Sequence, residues 1–236
     1  MLFRSVGDAL TTFLFGAIIW RSVSETRPVA EPHAHARAGG LLRPYRDRVF
    51  VMFAAASLLV SVIFLQCNVT LPVDMRAHGI SSALFGGLLA INGIMIVVIQ
   101  PFAGPFIQRF RRGNVLAISA LLTGLGFGIL GVVRVGRAAI PTYALAITVW
   151  TVGEIAMAPV APAVVADLAP PSLRGSYQGA YQITWGAASF LAPALGSLVM
   201  GRFGSGVLWG TCVAAGVVAA VGFTAVLAPR REEATR

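Results

Sequence analysis

Glu154 lies about fifteen residues into an apolar stretch that runs from 139 to 165. At about 1.5 Å of rise per helical residue, it falls near mid-depth of any bilayer that stretch would cross. A charged acid at bilayer centre costs about 2.5–3.5 kcal/mol on insertion scales. Two roles meet that cost: taking up and releasing a proton, or bonding a neighbouring helix. Asp8 interrupts a second apolar stretch about a third of the way along it. It is a weaker candidate for proton or cation handling, and pairing with Arg4 at i−4 or with helices outside this chain is the alternative. Gln178, Gln182 and Trp185 step at i, i+4 and i+7, with Ser189 at i+11 and Tyr181 adjoining. Such spacing puts them on one helix face. A polar, aromatic stripe on an apolar helix turns away from lipid, either toward a hydrated substrate path or toward hydrogen bonds with another helix. Asn68, Asn92 and Gln100 interrupt other apolar stretches and carry the same two readings.

Other chemistries are absent from the sequence. There is no HExxH, no GxSxG and no pair of acids within one apolar stretch, so an intramembrane enzyme is a distant reading. All 18 basic residues are Arg, and without Lys the chain can form neither a retinal Schiff base nor a Walker A phosphate loop. Cys67 and Cys212 lie in apolar runs and suggest neither a disulfide framework nor a metal site. His33 and His35 share a Pro- and Arg-rich stretch and read as solvated. No metal and no cofactor are expected.

The elements that hold these residues follow from composition. Of 236 residues 57% are hydrophobic and 11% charged, where a soluble domain carries about 25% charged. The mean hydropathy of +0.80 makes lipid the main solvent. A helix needs about 20 apolar residues to span a bilayer core. Seven stretches qualify: 2–20, 49–71, 83–106, 114–133, 139–165, 176–200 and 206–228, the first being the weakest. They are too long and too uniformly apolar for alternating barrel strands. The fold class is therefore all-α, a polytopic membrane helix bundle. Segments 21–48, 107–113, 166–175 and 229–236 hold 13 of the Arg residues and the opposite side holds 5, so the former are cytoplasmic and the C-terminus is inside. The formal charge of +9 thus reads as a topology signal with anionic lipid contact, not as a nucleic-acid surface. A cleaved secretory signal over 1–24 is the rival account of the start. Asp8 breaks its apolar region, and six Arg after it would need to be translocated. Four parts result: a helix at 1–20, a cytoplasmic linker at 21–48, a six-helix bundle at 49–228 and a cytoplasmic tail at 229–236.

The six-helix block also repeats. The second helix of its first half carries Pro101-Phe-Ala-Gly104 and then Arg109-Phe110; that of its second half carries Pro193-Ala-Leu-Gly196 and then Arg202-Phe203. The two ends face opposite sides of the membrane on this topology, as an inverted repeat of a secondary transporter requires. Gly124, Gly126 and Gly128 lie mid-helix, where small residues allow close helix contact rather than nucleotide binding. Pro101, Pro105, Pro159, Pro162 and Pro193 mark kinks or helix ends.

Three stretches resemble the major facilitator superfamily, in particular its proton-linked drug-efflux transporters. Gly104-Pro-Phe-Ile-Gln108-Arg109-Phe-Arg111-Arg112-Gly113 is similar to the cytoplasmic signature between the second and third helices of a half. Gly153-Glu154 with Pro159 and Pro162 resembles the fourth helix, and Asp167-Leu-Ala-Pro170-Pro171-Ser-Leu-Arg174-Gly175-Ser-Tyr177-Gln178-Gly179 the loop and start of the penultimate helix. The signature's Asp is Gln108 here, so this half lacks an acid at that position of the cytoplasmic latch. The resemblance implies a C-terminal six-helix half preceded by the sixth helix of the first half, in the plasma membrane. It also implies proton-coupled, alternating-access movement of a small molecule, with efflux of a drug-like or amphipathic compound as the direction. Glu154 and Asp8 would couple protons. Gln178, Tyr181, Gln182, Trp185, Asn68 and Asn92 would line the substrate path. Gly104, Gln108, Arg109, Arg111, Arg112, Asp167 and Arg174 would form the cytoplasmic gate, with Asp167 and Arg174 near enough to pair with the arginines. Partners would be the substrate, protons, lipid and a missing N-terminal half or partner chain. The alternative is a truncated, non-transporting membrane protein or scaffold.

Overall fold

The computed structural model describes residues 2–22, 42–133 and 139–228. Most of the expected linker at 21–48, with His33 and His35, and the tail at 229–236 lie outside these. Met1–Ala38 forms one unit and Gly39–Arg236 another. The first holds helix α1, Leu2–Ser22, whose apolar part is the shorter Ala9–Ser22. Asp8 falls within α1, but its side chain is outside the described residues.

The second unit is built of α2 (Arg48–Phe64), α3 (Gln66–Val69), α4 (Leu71–Ala77), α5 (Ser82–Ile107), α6 (Arg112–Ile129), α7 (Ala139–Leu168), α8 (Arg174–Phe203) and α9 (Ser205–Val226). All elements among the described residues are helical, and six spans are long and apolar enough to cross a membrane. The chain is an all-α membrane helix bundle. Asp47 starts α2 by accepting hydrogen bonds from the backbone N–H groups of Val49 (3.0 Å) and Phe50 (3.3 Å), which otherwise lack intrahelical partners. Ser81 does the same for α5 through Leu84 (3.3 Å).

The apolar run expected as one helix over 49–71 is broken at Leu65 and Thr70 into α2, α3 and α4. Pro72 supplies the reason at the second break. It occupies the first turn of α4, where a missing N–H costs nothing, but it cannot donate to Asn68 four residues earlier. Gln66 bridges the first break. Its side-chain amide donates to the Val62 carbonyl (3.2 Å) and, across the bundle, to that of Ala192 in α8 (3.2 Å), while its oxygen accepts from Thr70 (2.9 Å).

Lipid tails are as apolar as leucine, so these helices gain from close packing rather than from leaving water. Glycines provide the closeness. A Cβ on Gly124 would stand 2.9 Å from the Cys212 carbonyl of α9, and one on Gly216 would stand 2.8 Å from the Ala120 carbonyl of α6. Gly126 faces α7 instead, against Trp150. Phe127 stacks on Trp150 (4.5 Å between ring centres) beside Trp209, and at the other end of the bundle Phe53 meets Phe223 and Tyr181. Of the six spans, those of α5 and α8 are the least buried, at 6% and 22%, against 56% for α6.

Candidate functional site

A cavity of about 340 Å³ opens between α2, α6, α7 and α8. Phe64, Met157, Tyr181, Gln182 and Trp185 are among its walls, and among the described residues Glu154 is the one charged residue lining it. Its shape follows from unequal side chains. Ala158, Ala161 and Pro162 of α7 leave room opposite Trp185, whose ring meets Phe64 edge-on (6.0 Å). Glu154 is the sixteenth residue of the 30-residue α7, so about 22 Å of helix lies on either side.

What aims Glu154 is packing behind it. Gly153 is buried against α6, where a Cβ would stand 2.7 Å from the Ser119 carbonyl. The next residue therefore turns away from α6 and is half-buried. There Glu154 Oε2 accepts from the Asn92 amide of α5 at 2.7 Å, and the same nitrogen donates to Thr151 Oγ1 at 3.0 Å.

The structure thus brings Glu154, Tyr181, Gln182 and Trp185 to one cavity. Asn92 reaches Glu154 from outside its lining. Gln178, nominally on the same α8 face, instead donates to the Pro162 carbonyl (2.9 Å). Asn68 is exposed on α3 and outside the cavity wall. At the arginine-rich end, Gly104 lies in α5 and Gln108 ends that helix. Arg112, the first residue of α6, pairs with Asp167 near the end of α7. Arg109, Arg111 and Arg174 are exposed.

Sequence reasoning passed over a second polar cluster. Asp74 is 2% exposed and accepts from the Tyr143 hydroxyl at 2.7 Å. His78 Nδ1 lies 3.1 Å from that hydroxyl and 2.8 Å from the Asp74 carbonyl. Near Pro72, the helix-start signal that Pro gives and an acid two residues later could have drawn attention to it. Gln66 and Asp47 were likewise unmarked, and Asp47 accepts from the Tyr177 hydroxyl at 3.1 Å. Among the described residues no three His, Cys, Asp or Glu side chains gather to hold a metal.

This bundle, with its half-buried acid in a mostly apolar cavity wall and its basic end, is that of a transporter family. The chain belongs to the Major Facilitator Superfamily, whose sequence profile matches residues 49–236. It is similar to the Na(+), Li(+), K(+)/H(+) antiporter of Planococcus maritimus, 25% identical over 163 residues, covering 63% of this chain and 38% of that protein. It also resembles the uncharacterized MFS-type transporters YttB of Bacillus subtilis (strain 168), 22% identical over 65% of this chain and 38% of the relative, and YdeE of Escherichia coli (strain K12), 26% identical over 66% and 38%. The matches span just over a third of each relative's length.

Proposed function

We propose that the chain is half of a secondary transporter that exports a small amphipathic molecule across the plasma membrane in exchange for protons. The supporting observation is the Glu154 carboxyl in the wall of a mostly apolar and aromatic cavity. An apolar cargo fits against Trp185, Tyr181 and Phe64, while Glu154 and Gln182 orient its polar part. Proton uptake by Glu154 removes the charge that this residue places in the wall, so cargo and proton compete for a single group. Alternating access then follows from rocking of this bundle against an N-terminal six-helix half, on the same or a partner chain. The arginine-rich end, with Arg109, Arg111, Arg112, Asp167 and Arg174 as gate residues, faces the cytoplasm by the bias of basic loops, as does the C-terminus. Asp8 of α1 is a second candidate for proton coupling.

A second reading, exchange of alkali cations for protons, is favoured by the name of the P. maritimus relative. Bare alkali ions need several oxygen ligands, and the cavity offers one carboxyl group among mostly apolar walls. The amphipathic cargo is therefore preferred. Ethidium retention in cells expressing the chain with an N-terminal half tests it. Loss of export on adding a protonophore is expected; no export by any combination would favour the non-transporting scaffold.

A further inference from the structure

Asn92 commits both hydrogens of its amide nitrogen, one to Glu154 Oε2 and one to Thr151 Oγ1. Thr151 gives its own hydrogen to the Ile147 carbonyl at 2.6 Å. Its oxygen is left to accept, which fixes the side of the amide turned toward it. Reversed, Asn92 would set its carbonyl oxygen against both the Thr151 lone pairs and the Glu154 carboxylate. The amide therefore meets Glu154 as a donor, and a donor favours the charged form of a carboxylate over the neutral one. The bridge also joins two helices. α5 has α7 as its principal neighbour in the bundle, so Asn92 reads the state of Glu154 from a helix held chiefly on one side.

We infer that Asn92, oriented by Thr151, is the positioning residue of Glu154: its amide N–H holds Oε2 in place and so sets the pH at which Glu154 exchanges its proton. This rests on the reading of Glu154 as the proton-responsive group. Among the described residues, other groups facing Glu154 are few. Tyr181 approaches from α8 across the cavity, and the Cys67 thiol of α3 lies within electrostatic reach. From α6 the polar side chain in the same cavity wall is Thr123, and from α2 the walls are Val60 and Phe64, none of which titrates.

The test is an infrared titration of the carboxyl C=O band of the full 236-residue chain in lipid nanodiscs, with Glu154→Gln assigning the band. In Asn92→Leu, which keeps the size and removes the amide, the protonated band should persist to a pH about one unit higher, a roughly tenfold tighter hold on the proton. Thr151→Val, which keeps the shape and frees the amide to turn, should move it the same way by less. If Asn92→Leu does not fold, Thr151→Val alone decides. A band that titrates at the same pH in the folded variants overturns the inference, as does a Glu154 band that does not titrate. The reading of function fails separately, if Glu154→Gln leaves pH-dependent transport unchanged while the band shifts as stated.

Discussion

Gly153 and Ser119 approach so closely that a Cβ on the glycine would stand 2.7 Å from the serine's carbonyl oxygen. That contact presses the back of α7 onto α6 one residue before Glu154, and so decides which way the carboxyl group points. Gly153→Ala must push α7 off Ser119 and Thr123, at about 1–3 kcal/mol. A lower thermal midpoint in detergent is expected, with the Asn92–Glu154 bond lengthened or lost. An unchanged midpoint would mean that the two helices are not in this contact.

Asp74 and Tyr143 should be coupled. Each is nearly inaccessible, and removing one takes the 2.7 Å bond from the other's buried polar group, leaving it only the longer contact with His78. Asp74→Ala and Tyr143→Phe are each expected to cost about 1–3 kcal/mol. Their double mutant should cost less than the sum, with an interaction of at least about 0.5 kcal/mol. Additive losses in thermal unfolding would show that the 2.7 Å bond contributes nothing.

Two acids at the arginine-rich end should behave differently. Asp167 and Arg112 are 64% and 47% exposed, and exposed ion pairs contribute about 0–1 kcal/mol. Asp167→Asn is expected to leave stability nearly unchanged. Asp47→Ala removes the cap of α2 and should cost about 1 kcal/mol. Thermal midpoints in matched detergent check the order, and the reverse order would contradict it.

Trp185→Ala should enlarge the cavity and remove the aromatic wall opposite α7. About 1–2 kcal/mol of cargo affinity is at stake, so half-saturation for ethidium export should rise roughly tenfold with little change in maximal rate. An unchanged half-saturation would take the cargo out of this cavity.

How much of this was legible in the sequence depends on the range of the interaction. The depth of Glu154 needed only its distance from the ends of one apolar stretch, and the shared face of Gln182 and Trp185 needed only helical period. Gln178 satisfies the same period, yet bonds the Pro162 carbonyl, because which neighbour a face meets is set by another helix. Asp74 and Tyr143 are 69 residues apart, and no local pattern links them. The break at Leu65 and Thr70 was hidden by uniform hydropathy, which counts apolar residues and is blind to Pro72 and to the bonds of Gln66. Gly124, Gly126 and Gly128 read correctly as close-contact residues, but two different partners, α9 and α7, share them.

The central claim is that Glu154 exchanges a proton for cargo. Its most direct measurement uses proteoliposomes containing this chain with an N-terminal half, loaded at acid pH with the dye pyranine, to which ethidium is added outside. Ethidium entry should raise the internal pH, and Glu154→Gln should slow that rise at least about tenfold, the loss of one charged contact made in the exchange step. Equal proton movement in the wild-type and Glu154→Gln proteins would contradict the account.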